Sequence, residues 1–433
     1  MTRTIGTTVY SAGTVWTGAV GGRIEDGAVA VRDGRIVSVG RSADVVAAHP
    51  TALRVAFDAG ATLLPGLIDC HVHLSGSRLY GHETVGPFQR AARAVEDLGR
   101  LARAGYTTVR DLGGAAALGL REAVLEGSVP GPRILAAGPI ISQTGGHGDI
   151  HALPLEWVEA SGDSILADGA DQVRSAVRRV CRMNADVIKI CTTGGVGSEF
   201  DSPHDAHYTQ AEIEAIVDEA HRLGRRVASH AQGAEGVKNA VRAGVDTIEH
   251  GYYLDEAAVE AMLAHGTVFV PTFVLSLVYR DTLAAGTEMP AYRRRKQNEA
   301  MEAMQKSLSL AASQGVPIAS GSDFCGFPLR EHGGNARDIV ALAEGGLGPE
   351  GALVAATATA ARALGLEERV GRLQAGLDAD MAVFDGAPLK DVSALLRGAR
   401  AVVQLGRLLV PPVQESALLP AEMPRLAPSR PTP

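Results

Sequence analysis

The stretch GLIDCHVHL, residues 66–74, sets two histidines one residue apart in an apolar run. On a strand, residues two apart share a face, so His71 and His73 project side by side while Cys70 and Val72 face the other way. Burying two unpartnered imidazoles is costly, and a metal ion is the group that would satisfy both. Two structural histidines bonded to nearby backbone would also fit an isolated HxH, so the rest of the chain decides.

Outward from this stretch, short apolar strands alternate with helical patterns. Candidate strands cover 66–74, 106–112, 133–141, 186–193, 226–231, 247–253, 268–273 and 316–323, with helix-like segments such as 210–223 and 233–243 between them. Such alternation implies parallel strands joined by right-handed crossovers, and eight units imply a (β/α)8 barrel. The two ends read differently. Residues 1–64 are short β-like runs broken by glycine turns, with Asp33-Gly34 a hairpin signal. Residues 380–384 and 399–410 are strand-like again. The expected α/β architecture is a TIM-like barrel over 65–377, a small β-sandwich built from 1–64 plus 378–415, and a poorly ordered tail over 416–433.

In such a barrel, functional side chains come from the C-terminal ends of the strands. His71 and His73 sit at the end of the first strand, Lys189 on the fourth, His230 and His250 near the ends of the fifth and sixth, and Asp323 at the end of the eighth. Polar residues at five strand ends can converge on one mouth. Four imidazoles and a carboxylate suit zinc or a similar divalent ion. Lys189 is the odd member. A lysine buried beside cations loses its proton, and the neutral amine can add CO2 to give a carbamate that bridges two metals.

The 433 residues carry 41 Lys and Arg against 49 Asp and Glu, a formal charge of −8, which argues against a nucleic-acid-binding surface. The four cysteines form no CxxC, so no zinc ribbon or disulfide scaffold is expected. Cys70 and Cys191 are read as small buried residues pointing away from the site. No signal-like leader and no 18-residue apolar span occur, so no membrane partner and a cytoplasmic location are expected.

PGLIDCHVH followed by Lys189, His230, His250 and Asp323 resembles the binuclear-metal members of the amidohydrolase superfamily in residue type, order and strand position. Within it, the chain is most similar to the imidazolonepropionase-like branch that contains Xaa-Pro and Xaa-Arg dipeptidases and amidases of N-acyl amino acids. The segments that carry this likeness are TTVRDLGG (107–114), GGHG (145–148), IKICTTGGVGS (188–198), SHAQG (229–233) and IEHGYYLD (248–255). Imidazolonepropionases proper lack the lysine, and deaminase-like relatives place a glutamate where this chain has Gly233, so both activities are disfavoured.

The resemblance implies His71, His73 and Asp323 on one metal and His230 and His250 on the other, zinc foremost. Lys189, carboxylated by CO2, would bridge the two. A hydroxide shared by the metals would be the nucleophile, and Asp323 would carry its proton to the leaving amine. His147, in the glycine-rich loop QTGGHGD, is assigned to the substrate carbonyl or oxyanion. Tyr208 and Tyr252 are candidates for a substrate carboxylate. Arg330 and the Arg293–Arg295 run are further cations near the expected mouth. His204 and His207 are read as solvent-facing, His221 as no ligand, and Arg110 or Asp111 as half of a structural ion pair. The expected reaction is hydrolysis of an amide or peptide bond beside a free carboxylate, with a dipeptide or other small molecule as partner. Hydrolysis of a cyclic amide, ester or carbamate, and a barrel without catalysis, are the rival readings. A homo-oligomer is compatible with the sequence, which does not fix its size.

Overall fold

The computed structural model describes residues 6–74, 87–114, 116–151 and 153–411. The expected tail over 416–433 lies outside the described residues. Five strands open the chain: β1 (Thr8–Trp16), β2 (Arg23–Arg32), β3 (Arg35–Arg41), β4 (Leu53–Ala56) and β5 (Ala61–Pro65). The middle contributes β6 (Leu67–Val72), β7 (Tyr106–Asp111), β8 (Arg133–Ala136), β9 (Ile140–Ser142) and β10 (Ser164–Leu166). It continues with β11 (Val187–Cys191), β12 (Arg226–Gly233), β13 (Thr247–Tyr253) and β14 (Val268–Val270). The chain returns in β15 (Met381–Asp385), β16 (Ala401–Gln404) and β17 (Arg407–Val410).

The terminal strands form one eight-stranded sheet in the order β17-β16-β15-β5-β1-β2-β3, with β4 paired to β1. Both ends of the chain build it, as expected, but by hydrogen bonding it is a single sheet. Alternation decides where each residue packs. Leu63, Met381 and Val383 join a small core with Tyr10, Val29 and Val403, whereas Leu64, Ala382 and Phe384 face the main core.

The middle strands form two parallel sheets, β10-β9-β11-β12-β13-β14 and β6-β7-β8. They are buried on both faces, which explains their nearly unbroken apolar composition. Helices cover them with apolar stripes. On the helix Ala170–Arg182 the buried residues are Val173, Ala176, Val177 and Val180, at helical spacing. The helix Gln210–Arg222 starts with a capping box between Thr209 and Glu212.

Two expected strands differ. The strand over 133–141 splits into β8 and β9, which belong to different sheets. Pro139 has no N–H for a ladder and Gly138 has a left-handed backbone (φ 66°), so the chain bends there. The strand over 316–323 is no continuous ladder. It makes single bridges at Ile318 and Phe324, and Asp323 has a left-handed backbone (φ 54°). This segment nevertheless bonds to both sheets. Ala319 N–H donates to the Phe269 carbonyl at 2.8 Å, and Asp323 N–H donates to the His71 carbonyl at 2.7 Å. Among the described residues, no single helix is long and apolar enough to cross a membrane.

Candidate metal centre

Register explains how the strand ends converge. In neighbouring parallel strands, paired residues point to the same face. Cys191 pairs with His230, and His230 with Glu249, so these three side chains stand abreast. His250, paired with Ala231, would by alternation face the other way. Its left-handed backbone (φ 76°) turns it back, and its ring lies 4.6 Å from that of His230 and 5.1 Å from that of His71. A left-handed conformation in a histidine is uncommon and marks a functional constraint. Asp323 reaches the same place through a similar turn. The candidate ligand atoms of His71, His73 and Asp323 all lie within 4.8 Å of one another. Gly321 is needed here, because a Cβ on it would sit 2.9 Å from that of His71.

Three of the imidazoles spend one N–H on an acceptor and present the other nitrogen bare. His71 Nδ1 lies 2.9 Å from a Glu249 carboxylate oxygen, which can only accept. His250 Nδ1 lies 2.9 Å from the Thr272 hydroxyl, whose own proton goes to the Pro271 carbonyl at 2.8 Å. His230 Nε2 faces the Gly194 carbonyl at 3.2 Å. Partners of this kind fix ring orientation and tautomer for metal binding. Burial, with the Lys189 ammonium beside it, pushes His71 down to about 4. Burial and neighbouring imidazoles hold His230 and His250 well below the ordinary histidine value. These rings are therefore neutral, as ligands must be. His73 differs: burial works against its charged form, but the hydrogen bond and charge of Asp323 together with the Asp111 charge outweigh it and raise its pKa. Asp323 is held well below the usual carboxylate range, because Arg330 and His73 outweigh the effect of burial.

Lys189 lies among them, 3% exposed, and among the described residues its Nζ has no hydrogen-bond partner. Burial lowers its pKa. An orphaned amine facing neutral imidazoles and a carboxylate fits a binuclear metal site bridged through this residue.

The glutamate behind His71 is a residue that sequence reasoning missed. Glu249 is fully buried and accepts from Arg110 Nη2 at 2.7 Å and from the Thr247 hydroxyl at 2.5 Å. Arg110 also donates to the Cys70 carbonyl at 2.6 Å. The expected structural ion pair thus exists, with Arg110 as its inward member. Its partner is 139 residues away and directly behind a candidate ligand. The available signal was parity: Thr247 and Glu249 share one face of β13.

The centre lies at the floor of a cavity of about 500 Å³. His147 and Tyr252 line it with the ligands. The His147 ring stacks on His230 with centroids 3.9 Å apart. Its Nδ1 lies 2.9 Å from the Ser198 hydroxyl, which in turn donates to Asp201. The opposite wall is mainly apolar, with Leu275, Val278, Met301, Met304 and Leu329, and carries Arg293 and Arg330. Arg330 pairs with Asp323 at 3.1 Å.

Four expectations are corrected. Tyr208 is packed in the main core and does not line the cavity. Cys191 lines the cavity, because it is two residues from Lys189 and shares its face; Cys70 does point away, toward the Ala360 carbonyl. His207 is buried rather than solvent-facing, since the loop folds it inward, while His204 is exposed. In the 293–295 run only Arg293 lines this cavity; Arg294 and Arg295 are exposed. His221 is away from the site, beside Asp246 at 2.9 Å.

Residues 62–407 match the amidohydrolase family, and residues 27–52 match an imidazolonepropionase-like composite domain of bacteria. The chain is 32% identical to the ochratoxinase of Aspergillus niger over 389 residues, covering 85% of this chain and 79% of the relative. The solved structure of that enzyme superposes with a TM-score of 0.85 at 31% identity, covering 93% and 95% of the two chains. A Xaa-Pro dipeptidase with bound methionine gives 0.82 at 31% identity, covering 93% and 99%. A prolidase complexed with N-methylphosphonate-L-proline gives 0.84 at 35% identity, covering 93% and 99%. By its family match and its site, the chain belongs to the amidohydrolase family and is a hydrolase of C–N bonds.

Proposed function

We propose that the protein is a metal-dependent hydrolase of an amide or peptide bond adjacent to a free carboxylate, acting on a dipeptide or an N-acyl amino acid. The observation that carries this reading is the unpartnered Lys189 amine, buried among imidazoles whose second nitrogens are already committed. His71, His73 and Asp323 would hold one divalent ion, and His230 and His250 the other, zinc being favoured. The neutral Lys189 amine would add CO2, releasing a proton, and bridge them as its carbamate. When bound, the ions supply Lewis acidity and a water of lowered pKa.

The chain's own residues do the rest. Asp323 takes a proton from the attacking water and passes it to the leaving nitrogen. His147 offers only Nε2 to a substrate, since Nδ1 is engaged at Ser198. In its protonated form it donates to the carbonyl oxygen as negative charge develops there, with the Asp201 carboxylate 3.8 Å away as counter-charge. Arg293 and Arg330 line the wall where a substrate carboxylate would lie, and Arg330 reaches it while paired with Asp323. Of the two tyrosines, Tyr252 lines the cavity and is the one that would touch substrate.

In this reading, residues 65–377 form one (β/α)8 barrel, joined across 316–324, and 1–64 plus 378–415 form the second domain. The setting is cytoplasmic, without nucleic acid or membrane, in keeping with the net negative charge.

The test is a hydrolysis screen of the zinc-loaded, bicarbonate-treated enzyme on dipeptides and N-acyl amino acids, read as released amino acid. Turnover restricted to substrates with a free C-terminal carboxylate supports the reading. Metal binding without such turnover overturns the substrate class and moves the search to lactams, esters and carbamates.

A further inference from the structure

The long helix Ala291–Gln314 builds the cavity wall with Arg293, Gln297, Ala300, Met301 and Met304, spaced along one face. The same helix carries a buried cation that the reaction does not use. Lys296 is 6% exposed and donates to the carbonyls of Gly195 at 3.2 Å, Ser198 at 2.7 Å and Asp201. Its Nζ is also 3.6 Å from the Asp201 carboxylate. The loop over 194–201 is thereby wrapped around one ammonium, which is an expensive way to hold a loop unless its position matters.

That loop is what holds His147. Asp201 accepts from the Gly195 N–H at 3.2 Å and from the Ser198 hydroxyl. With its proton committed to a carboxylate, Ser198 can only accept from His147, so Nδ1 keeps its proton in the neutral and in the doubly protonated ring alike, and Nε2 is turned to the cavity. The backbone also presses on the ring: a Cβ at Gly195 would lie 2.4 Å from His147 Cε1.

We infer that Lys296 is a positioning residue. Through Asp201 and Ser198 it sets the tautomer and orientation of His147, and it ties that histidine to the helix that seats the substrate. The inference rests on the proposed amide hydrolysis for its kinetic consequence, but the tautomer of His147 does not depend on it. Wall and histidine then move as one unit, and substrate seated on the helix is seated at a fixed place relative to Nε2.

The experiment compares Lys296→Met, Ser198→Ala and the double variant. In metal-free protein labelled with 15N-histidine, NMR reads the protonated nitrogen of His147. The wild type should show a slowly exchanging Nδ1–H. Both single variants should lose it while the Nδ1–H signals of His71 and His250 stay in place, which shows that the fold persists. In metal-loaded enzyme each single variant should lower kcat by about 100-fold with KM little changed, and the double variant should lose no more than the worse single one. Should Lys296→Met not fold, Lys296→Gln, which keeps a donor but no charge, carries the same test. Retention of the His147 signal and of kcat without the lysine overturns the inference. A wild type inactive on every amide would instead sink the proposed reaction, and the tautomer measurement would still decide on Lys296.

Discussion

On the cavity floor, His71, His230 and His250 are each held by one acceptor, and Glu249 behind them is held by Arg110 and Thr247. On the wall, Leu275, Met301, Met304 and Leu329 meet the same space with apolar side chains from helices and a loop. The floor is a network in which each polar group depends on the next, so its parts are not exchangeable. The wall is a packed surface whose flexible methionines tolerate change. The contrast teaches where this enzyme keeps its chemistry and where it keeps its choice of substrate. Asp338 joins the two regions: it accepts from Val274 N–H at the start of a wall helix, and from Ser320 and Gly321 in the segment leading to Asp323.

The contrast breaks first if the floor tolerates loss of a buried charge. Arg110→Met strands the Glu249 carboxylate and should cost about 3–5 kcal/mol of stability, read from the urea midpoint. A loss below about 1 kcal/mol would mean that the network is not a unit. Lys189→Met separates function from stability. Removing a buried amine that lacks a partner should raise the melting temperature of the metal-free protein and abolish metal binding. A lower melting temperature would show that the amine is satisfied. Glu249→Gln keeps the shape but weakens the hold on His71, and should lower metal affinity by about 10–100-fold in a chelator competition. On the wall, Met301→Ala should raise KM for substrates with a bulky apolar acyl group by about 10-fold, with metal content and kcat kept. Loss of metal in that variant would erase the division between floor and wall.

A further effect is one of pH, at the joint. Burial pushes Asp338 up to about 7, and Asp69 up to about 6. Between the ordinary carboxylate range and these values, the folded chain binds more protons than the unfolded one. Their contribution is therefore most favourable at low pH and is lost as pH rises toward 7. Asp338→Asn should flatten that decline in stability measured by denaturant titration, and Asp69 should leave a residual slope. An unchanged slope would remove Asp338 as its source.

Much of the floor is legible in the sequence. His71 with His73, then Lys189, His230, His250 and Asp323, lie on five of the eight segments that read as strands, and local alternation of apolar residues is enough to suggest that these meet at one mouth. That local pattern also marks both chain ends as β-rich, but it suggests a sandwich where their strands pair in one sheet. Strict alternation misleads at His250, whose inward orientation depends on a left-handed backbone that only the surrounding strands can impose. It cannot show where β8 and β9 part, because that depends on which sheet each half finds. The partners that orient the ligands lie far along the chain: Arg110 and Glu249 are 139 residues apart, Lys296 and Asp201 95. Arg110 and Lys296 each read as ordinary charges until folding removes water from around them and sets each beside a buried carboxylate and backbone carbonyls. Residue type and period single out the candidate ligands, because both are properties of a few neighbouring residues; the supporting network is decided by tertiary structure, because desolvation and long-range proximity exist only once the chain has closed on itself.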